Sequence, residues 1–189
     1  MESRRAYVAQ VGQTLMTAEE LLWLNLPDNR SELIRGRLVV REPGGGRHGA
    51  VAMRVAYRLM AYAEAHDLGR VYAAETGFKI ESDPDTVRAP DVAFIRKARL
   101  PDVEPLGYPA GAPDLAVEVV AHEDHPADTL AKVAQWLQAG VRLVWVVDVE
   151  RRSARVYRAD GTESLLGSGD ALEGEEVAPG FRCELAGLW

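Results

Sequence analysis

The sequence predicts one α/β domain in which helices flank a mixed β-sheet. Two largely apolar runs rich in β-branched residues, Leu115–Val120 and residues 141–148, are typical of strands buried at the centre of a sheet. Helical patterns alternate with such strands, which favours a sheet covered by helices. The length of 189 residues suits a single domain, residues 1–189, with one sizeable core. We place that core at about residues 31–148 and assign residues 159–189 to an acidic C-terminal extension.

The elements of the N-terminal half each follow from a local pattern. Thr17 and Glu20 have the spacing of a capping box and predict the start of a short helix. Residues 31–42 alternate around a central turn and predict an N-terminal hairpin. Residues 48–66 carry apolar side chains at helical spacing and predict a long helix. Two strands are predicted after it, over residues 70–81 and 87–95.

In the C-terminal half, the strand Leu115–Val120 precedes a predicted helix over residues 128–139, which Gly140 ends. The strand over residues 141–148 follows, and residues 155–157 begin short antiparallel additions. The core stripe predicted for the helix consists of Leu130, Val133, Ala134 and Leu137. A second face of the helix carries Asp128, Lys132 and Trp136 at successive four-residue intervals.

Composition limits the cellular setting. Hydrophobic residues make up 47% of the chain and charged residues 27%, which is ordinary for a soluble globular protein. No apolar stretch approaches the roughly 18 residues that span a bilayer, and no signal peptide is evident, so we expect no membrane association. The single cysteine, Cys183, excludes an internal disulfide and fits a reducing compartment. These observations predict a cytoplasmic protein.

The net charge of −7 argues against tight binding to nucleic acid through a broadly basic surface. Seven acidic residues and one arginine give residues 159–189 a net charge of −6, whereas the rest of the chain is nearly neutral at −1. Any contact with DNA is therefore expected to be weak and local.

Three ionisable residues mark a candidate site. Asp91 and Glu118 each lie in a short apolar run that predicts a buried strand, and Lys132 lies on the helix that follows. Carboxylates are rarely buried in such runs unless they are paired or bind a metal. Two carboxylates and a lysine at one edge of a sheet would suit a hard cation and a phosphate, and a backbone carbonyl such as that of Val119 could complete the oxygen ligands.

Spacing alone supports a structural interpretation equally well. Asp91 could simply end a strand after Pro90, Glu118 could pair with an arginine, and Lys132 could form a salt bridge with Asp128 one helical turn away.

Several motifs, taken in order, resemble the Uma-type branch of the PD-(D/E)XK nuclease superfamily, which consists of restriction-endonuclease-like proteins. The resemblance covers about residues 16–157. Its landmarks are Ser31-Glu32-Leu33-Ile34-Arg35-Gly36-Arg37-Leu38, His48, Pro90-Asp91-Val92, Val117-Glu118-Val119, Lys132, Ala139-Gly140-Val141 and Val144-Trp145-Val146-Val147-Asp148.

This resemblance implies a restriction-endonuclease-like core and a nuclease that hydrolyses DNA phosphodiester bonds with Mg²⁺ or Mn²⁺. Asp91 and Glu118 match its metal ligands, Glu32 matches an additional acid, and Lys132 matches a lysine on the following helix that orients or activates water. The chain departs from the family pattern in two places: Ala121-His122 replaces a usual Ser-Pro pair, and Trp136 replaces a usual tyrosine.

Other candidate residues have weaker support. His48, at the start of a helix, is expected to support the site through polar contacts. The sequence His122-Glu123-Asp124-His125 lacks the helical spacing of a zinc motif, which predicts a solvated loop.

The alternatives to a DNA nuclease are the hydrolysis of another phosphoester and a catalytically silent binding or dimerisation module. Leu185-Ala186-Gly187-Leu188-Trp189 is unusually apolar for a free terminus, so we expect it to pack on the body or on a second subunit of a homodimer. Two clefts related by a two-fold axis would suit the cleavage of two antiparallel strands.

Overall fold

The computed structural model describes residues 7–8, 15–24, 30–103, 105–109, 111–121 and 124–189. Within these residues the α-helices are α1 (Ala18–Leu22), α2 (Gly46–Ala65) and α3 (Pro126–Gln138). The strands are β1 (Tyr7–Val8), β2 (Arg30–Ile34), β3 (Arg37–Arg41), β4 (Gly69–Ala73), β5 (Phe78–Glu81), β6 (Thr86–Arg88), β7 (Val92–Arg96), β8 (Leu115–Val120), β9 (Leu143–Asp148), β10 (Ser153–Arg158), β11 (Glu163–Leu166), β12 (Ala171–Glu173) and β13 (Arg182–Glu184).

The strands form one large mixed sheet, a second sheet beside it, and a C-terminal ribbon. The large sheet has the order β11-β10-β9-β8-β7-β4, and the second sheet has the order β1-β3-β2-β6-β5. The central strands β8 and β9 are parallel, while β8 pairs with β7 and β9 pairs with β10 in antiparallel fashion. The predicted mixed sheet with flanking helices, the N-terminal hairpin (β2 and β3) and the short C-terminal strands are confirmed.

The two long helices cover opposite faces of the large sheet. Val55 of α2 packs in one apolar cluster with Val117 of β8, and Trp136 of α3 packs in another with Ala116. Because side chains alternate across a strand, Glu118 lies on the same face as Ala116, which is the face that α3 covers. This register brings Glu118 against the helix that carries Lys132.

The predicted strands over residues 70–81 and 87–95 are wrong as single elements, because each is divided between the two sheets. β4 and β7 belong to the large sheet, whereas β5 and β6 belong to the second sheet. Glu75 has a φ of 71°, and this left-handed conformation interrupts the first run. Pro90, which has no N–H for a ladder, lies in the break of the second run. Asp91 therefore precedes β7 and lies where the chain crosses between sheets.

The predicted core stripe of α3 is also wrong in part. Leu130 is 52% exposed and Ala134 is exposed, whereas Lys132, Val133 and Trp136 are the buried residues of the helix. The helix is rotated because the sheet face beneath it carries the buried Glu118, which requires polar partners. Lys132 and Trp136 supply them.

The C-terminal segment packs on the body of the same chain. Leu185 and Leu188 are fully buried in the cluster that contains α2. Nη1 of Arg54 donates a hydrogen bond to the carbonyl oxygen of Leu188 at 3.0 Å, and Nη2 of Arg58 donates to that of Gly187 at 2.8 Å. The expected docking of the tail is thus intramolecular. No helix among the described residues is long and apolar enough to cross a membrane.

Shortening Leu188 tests how much this docking stabilises the fold. Leu188→Ala is expected to lower the free energy of unfolding by about 2–3 kcal/mol, because it leaves a cavity beside α2. The control is Leu165→Ala on β11, where the side chain is 64% exposed and the change should stay within about 0.5 kcal/mol. Urea denaturation of both variants measures the difference, and equal losses would contradict a docked tail.

Candidate active site

A polar cavity of about 220 Å³ lies where the two larger sheets meet, beside the first turn of α2 and the first turns of α3. All the residues proposed from the sequence line it: Glu32, His48, Asp91, Glu118, Val119 and Lys132. The convergence of these residues is observed, whereas their catalytic and metal-binding roles stay predictions. The cavity depends on both sheets, because Glu32 comes from β2 and Glu118 from β8.

Lys132 is buried at the centre of the cluster. Its Nζ donates hydrogen bonds to Oε2 of Glu118 and to the carbonyl oxygen of Ala89, both at 2.9 Å, and lies 3.1 Å from Oε1 of Glu32. These three oxygen atoms match the three donors of an ammonium group. The alternative in which Lys132 serves a salt bridge with Asp128 is therefore not observed.

Glu118 is held by α3 through both carboxylate oxygens. Nε1 of Trp136 donates to Oε1 at 2.8 Å while Lys132 holds Oε2. Burial raises the pKa of Glu118, the nearby charges of Asp91 and Glu32 raise it further, and Lys132 opposes them. The net rise favours the protonated acid more than at an ordinary surface glutamate.

Glu32 has the opposite tendency. Burial would raise its pKa, but the positive charges of Lys132, Arg88 and Arg41 and the N–H of Ala89 hold it well below the usual range. Nη1 of Arg88 donates to Oε2 at 2.8 Å and Nε of Arg41 donates to the same oxygen at 3.1 Å. Glu32 is therefore an ionised anchor for the surrounding cations.

Asp91 is held by three groups from three parts of the chain. The N–H of Val119 donates to Oδ2 at 2.8 Å, Nη2 of Arg30 donates to Oδ1 at 2.9 Å, and Nε2 of His48 lies 3.3 Å from Oδ2. Burial raises the pKa of Asp91, but the hydrogen bond and charge of His48, the charge of Lys132 and the N–H of Val119 outweigh burial and lower it to about 2. In return, the hydrogen bond to Asp91 raises the pKa of His48.

The sequence analysis did not identify the cationic and amide partners of this cluster. Nε of Arg88 donates to Oε1 of Gln135 at 2.7 Å, which ties β6 to α3, and Arg30 supports Asp91. One sequence pattern could have indicated Arg88, because an arginine in a run predicted to be a buried strand requires an acidic partner.

The comparisons with known proteins agree with the fold. A family model described as "Uma2: Putative restriction endonuclease" matches residues 18–186. The chain belongs to the Uma2 family. The structure is similar to the crystal structure of a putative nuclease belonging to DUF820 from Anabaena variabilis, with a TM-score of 0.77 and 18% identity over 92% of this chain and 97% of that chain. At such identity the likeness shows the fold alone. No curated protein matches the chain.

The capacity of this Uma2 chain for a metal depends on oxygen ligands. Among the described residues, no group of three or more His, Cys, Asp or Glu side chains has the arrangement of a metal site. Mg²⁺ needs fewer protein ligands, since it usually keeps several waters and binds one or two carboxylates. Asp91 and Glu118 fit that requirement. The carbonyl of Val119 leaves β8 on the same side as the N–H that contacts Asp91, which suits a third oxygen ligand.

The loop before α3 borders the cavity in part. Asp124 and His125 line it, while His122 and Glu123 of the same predicted solvated loop lie outside the described residues, as does the departure from the family pattern at His122.

The hydrogen bond from Trp136 to Glu118 is testable with a matched pair of variants. Trp136→Phe is expected to lower the free energy of unfolding by about 1.5–3 kcal/mol more than Trp145→Phe, because it removes a donor to a charged group. Trp145 is equally buried, and its Nε1 has no hydrogen-bond partner among the described residues. Thermal and urea unfolding measure both variants. Equal losses would show that Trp136 contributes through packing alone.

Proposed function

We propose that this Uma2 chain is a Mg²⁺-dependent nuclease that hydrolyses DNA phosphodiester bonds. The observation that supports the proposal is the convergence of Asp91, Glu118 and Lys132 in one polar cavity of a nuclease-like fold. Phosphodiester hydrolysis requires charge neutralisation at the phosphoryl oxygens and a positioned water. The buried ammonium of Lys132, beside the carboxylates of Asp91 and Glu118, suits both requirements.

Asp91, Glu118 and the carbonyl of Val119 would hold the metal, which supplies Lewis acidity toward the phosphoryl oxygens when bound. His48 and Arg30 keep Asp91 ionised and fixed in orientation. One donor of Lys132 that contacts Glu118 or Glu32 would have to turn toward the substrate, where it would orient the attacking water or stabilise the negative charge that develops on phosphate.

Glu32 has an auxiliary role in this proposal. It contacts Nζ of Lys132 as Glu118 does and so helps to fix its position, and Arg88 and Arg41 hold Glu32 in turn.

The second candidate function is a catalytically silent binding module. It is favoured by one observation, namely that each carboxylate of the cluster already contacts a cationic side chain: Asp91 contacts Arg30, Glu118 contacts Lys132, and Glu32 contacts Arg88. A metal would have to compete with these contacts. Hydrolysis of a different phosphoester by the same residues is a further alternative.

Metal binding and DNA cleavage by the wild-type protein test the proposal. Calorimetry should detect Mn²⁺ or Mg²⁺ binding at millimolar concentration, and cleavage of DNA should be slow, abolished by EDTA and strongly weakened by salt. The weak DNA affinity follows from the net charge of −7, which leaves few phosphate contacts. Binding without DNA cleavage, but with hydrolysis of a small phosphodiester, would favour the other phosphoester. Absence of metal binding would favour the silent module.

A further inference from the structure

The outward face of α2 carries an apolar strip that the described parts of the chain leave exposed. Met53, Tyr57 and Met60 are 62%, 60% and 39% exposed. Ala50 and Ala61 beside them are also exposed. The opposite face of the helix is the one that packs into the core, through Val51, Val55 and Leu59. Exposed large apolar side chains that form a continuous strip are typical of an interaction surface.

The spacing of this strip is that of a helix-pairing seam. Exposed positions recur at residues 46, 50, 53, 57, 60 and 64, with alternating intervals of four and three. This alternation is the heptad pattern by which two helices pack together along their length. α2 has 20 residues and is therefore about 30 Å long, which is enough for almost three heptads. The small residues Gly46, Ala50 and Ala61 would let a second helix approach closely.

A shallow groove of about 450 Å³ lies beside the strip, where α2 meets the C-terminal segment. It is lined by Tyr57, Ala61, Tyr62, Phe181 and Gly187, among others. A flexible apolar side chain such as methionine suits a groove of this kind.

The exposed charges near the two ends of α2 have opposite sign, which favours a second copy of this chain as the occupant. Arg47 lies in the first turn of the helix and Glu64 in its last turn, and both are exposed. An antiparallel pair of identical helices centred near Tyr57 would bring each Arg47 within about 5 Å, along the helix axis, of Glu64 of the partner subunit, which an arginine side chain can span. Among the described residues Arg47 also contacts Glu150 at 3.6 Å, but such an exposed pair stabilises little.

We propose that α2 pairs in antiparallel orientation with α2 of a second copy, about a two-fold axis near Tyr57. In this arrangement residue 53 of one helix faces residue 61 of the other, so Met53 of each subunit enters the groove beside Ala61 of its partner. A two-fold dimer requires a self-complementary interface, and in this arrangement the contact of Met53 with the groove and that of Arg47 with Glu64 each occur twice. The pairing does not depend on the proposed nuclease function.

The pairing also determines how far apart the two polar cavities of the dimer lie along the helix axis. His48, which lines the cavity, is nine residues from Tyr57 toward the start of α2. Across an antiparallel pair, the two His48 positions are separated along the helix axis by about 27 Å, from a rise of about 1.5 Å per residue. Each cavity is therefore complete in its own subunit and acts on its own substrate group.

Sedimentation of the full chain and two single variants tests the surface. The wild type should sediment as a dimer at micromolar concentration, and Tyr57→Glu should raise the dimer dissociation constant at least about 30-fold. Leu165→Glu on the edge strand β11 replaces a comparably exposed apolar residue and should leave the dimer unchanged. A monomeric wild type would overturn the proposal, as would a dimer that Leu165→Glu dissociates and Tyr57→Glu does not.

A charge exchange tests the antiparallel orientation. Arg47→Glu and Glu64→Arg should each weaken the dimer, and the double variant should recover most of the wild-type affinity. Residues 47 and 64 lie about 25 Å apart on one helix, so recovery can arise only between subunits. If the double variant is weaker than both single variants, the orientation is wrong. Melting temperatures close to the wild type would confirm that all these surface variants are folded.

Discussion

Replacing Asp91 by asparagine is expected to lower metal-dependent DNA cleavage by at least about 10²- to 10³-fold, the usual effect of removing one electrostatic contributor to a transition state. Asparagine keeps the size of the side chain and can accept the hydrogen bond from the N–H of Val119. It loses the negative charge that a divalent cation requires, while Arg30 and His48 remain beside the site. Mn²⁺ affinity, measured by calorimetry, should therefore fall together with the cleavage rate.

Asp148→Asn is the matched control for this prediction. Asp148 ends the neighbouring strand β9, and its Oδ1 accepts hydrogen bonds from the backbone N–H groups of Glu150 and Arg151 outside the cavity. That variant should cleave DNA at the wild-type rate. Cleavage that survives in Asp91→Asn would expose a contaminating nuclease or a different active site. Loss of cleavage in both variants would indicate that the assay reports stability.

The elements that sequence predicted well are those determined by local pattern. Leu115–Val120 has the predicted bounds, and α2 begins two residues before its predicted start and ends one residue before its predicted end. In both, a run of apolar side chains determines the element without reference to the rest of the chain. The partition of residues 70–81 and 87–95 between two sheets escaped prediction because strand pairing is non-local and the apolar pattern of a strand does not specify its partner.

In the candidate site, too, local sequence patterns identified some residues, whereas contacts between distant parts of the chain escaped prediction. Asp91, Glu118 and Lys132 were identified because the two carboxylates lie in apolar runs before a helix with a lysine and because family motifs carry all three, but their partners were not. Arg30 reaches Asp91 across 61 residues of sequence, and Arg88 reaches Glu32 across 56. Charge pairing over such separations leaves no local pattern, so only the folded chain reveals which carboxylate each arginine neutralises. The rotation of α3 has the same cause, since it depends on the requirements of a glutamate on another element.

Replacing Lys132 by methionine should have the largest effect on stability. In EDTA at pH 7 we expect the free energy of unfolding to fall by about 3–5 kcal/mol, because removal of one partner leaves a buried charge uncompensated. Glu32 would keep Arg88 and Arg41, whereas Glu118 would keep only the N–H of Trp136 among the contacts described above. Lys97→Met is the control, because the ion pair of Lys97 with Asp67 is exposed and should change stability by less than about 1 kcal/mol.

The pH dependence of that loss identifies its cause. Without Lys132 the folded-state pKa of Glu118 would rise further above its unfolded value, which is about 4.3. A carboxyl whose pKa is raised by folding destabilises the protein at high pH, and the cost disappears as the pH falls and the group takes up a proton. The stability difference between Lys132→Met and wild type should therefore shrink between pH 7 and pH 5.

Divalent metal, like acid, should raise the stability of Lys132→Met relative to wild type. A cation that replaces the lost ammonium beside Glu118 and Asp91 binds only the folded state, so Mg²⁺ should raise the melting temperature of this variant more than that of wild type. Cleavage should nevertheless stay low, because the hydrogen-bond donor of Lys132 is missing. Lys132→Arg should not fully restore it, since a planar guanidinium differs in shape and donor direction.

If Lys132→Met were as stable as wild type at pH 7, Glu118 would already be protonated in the native protein. The metal-binding role assigned to Glu118 would then fail, because a neutral carboxylic acid is a poor ligand for a hard cation.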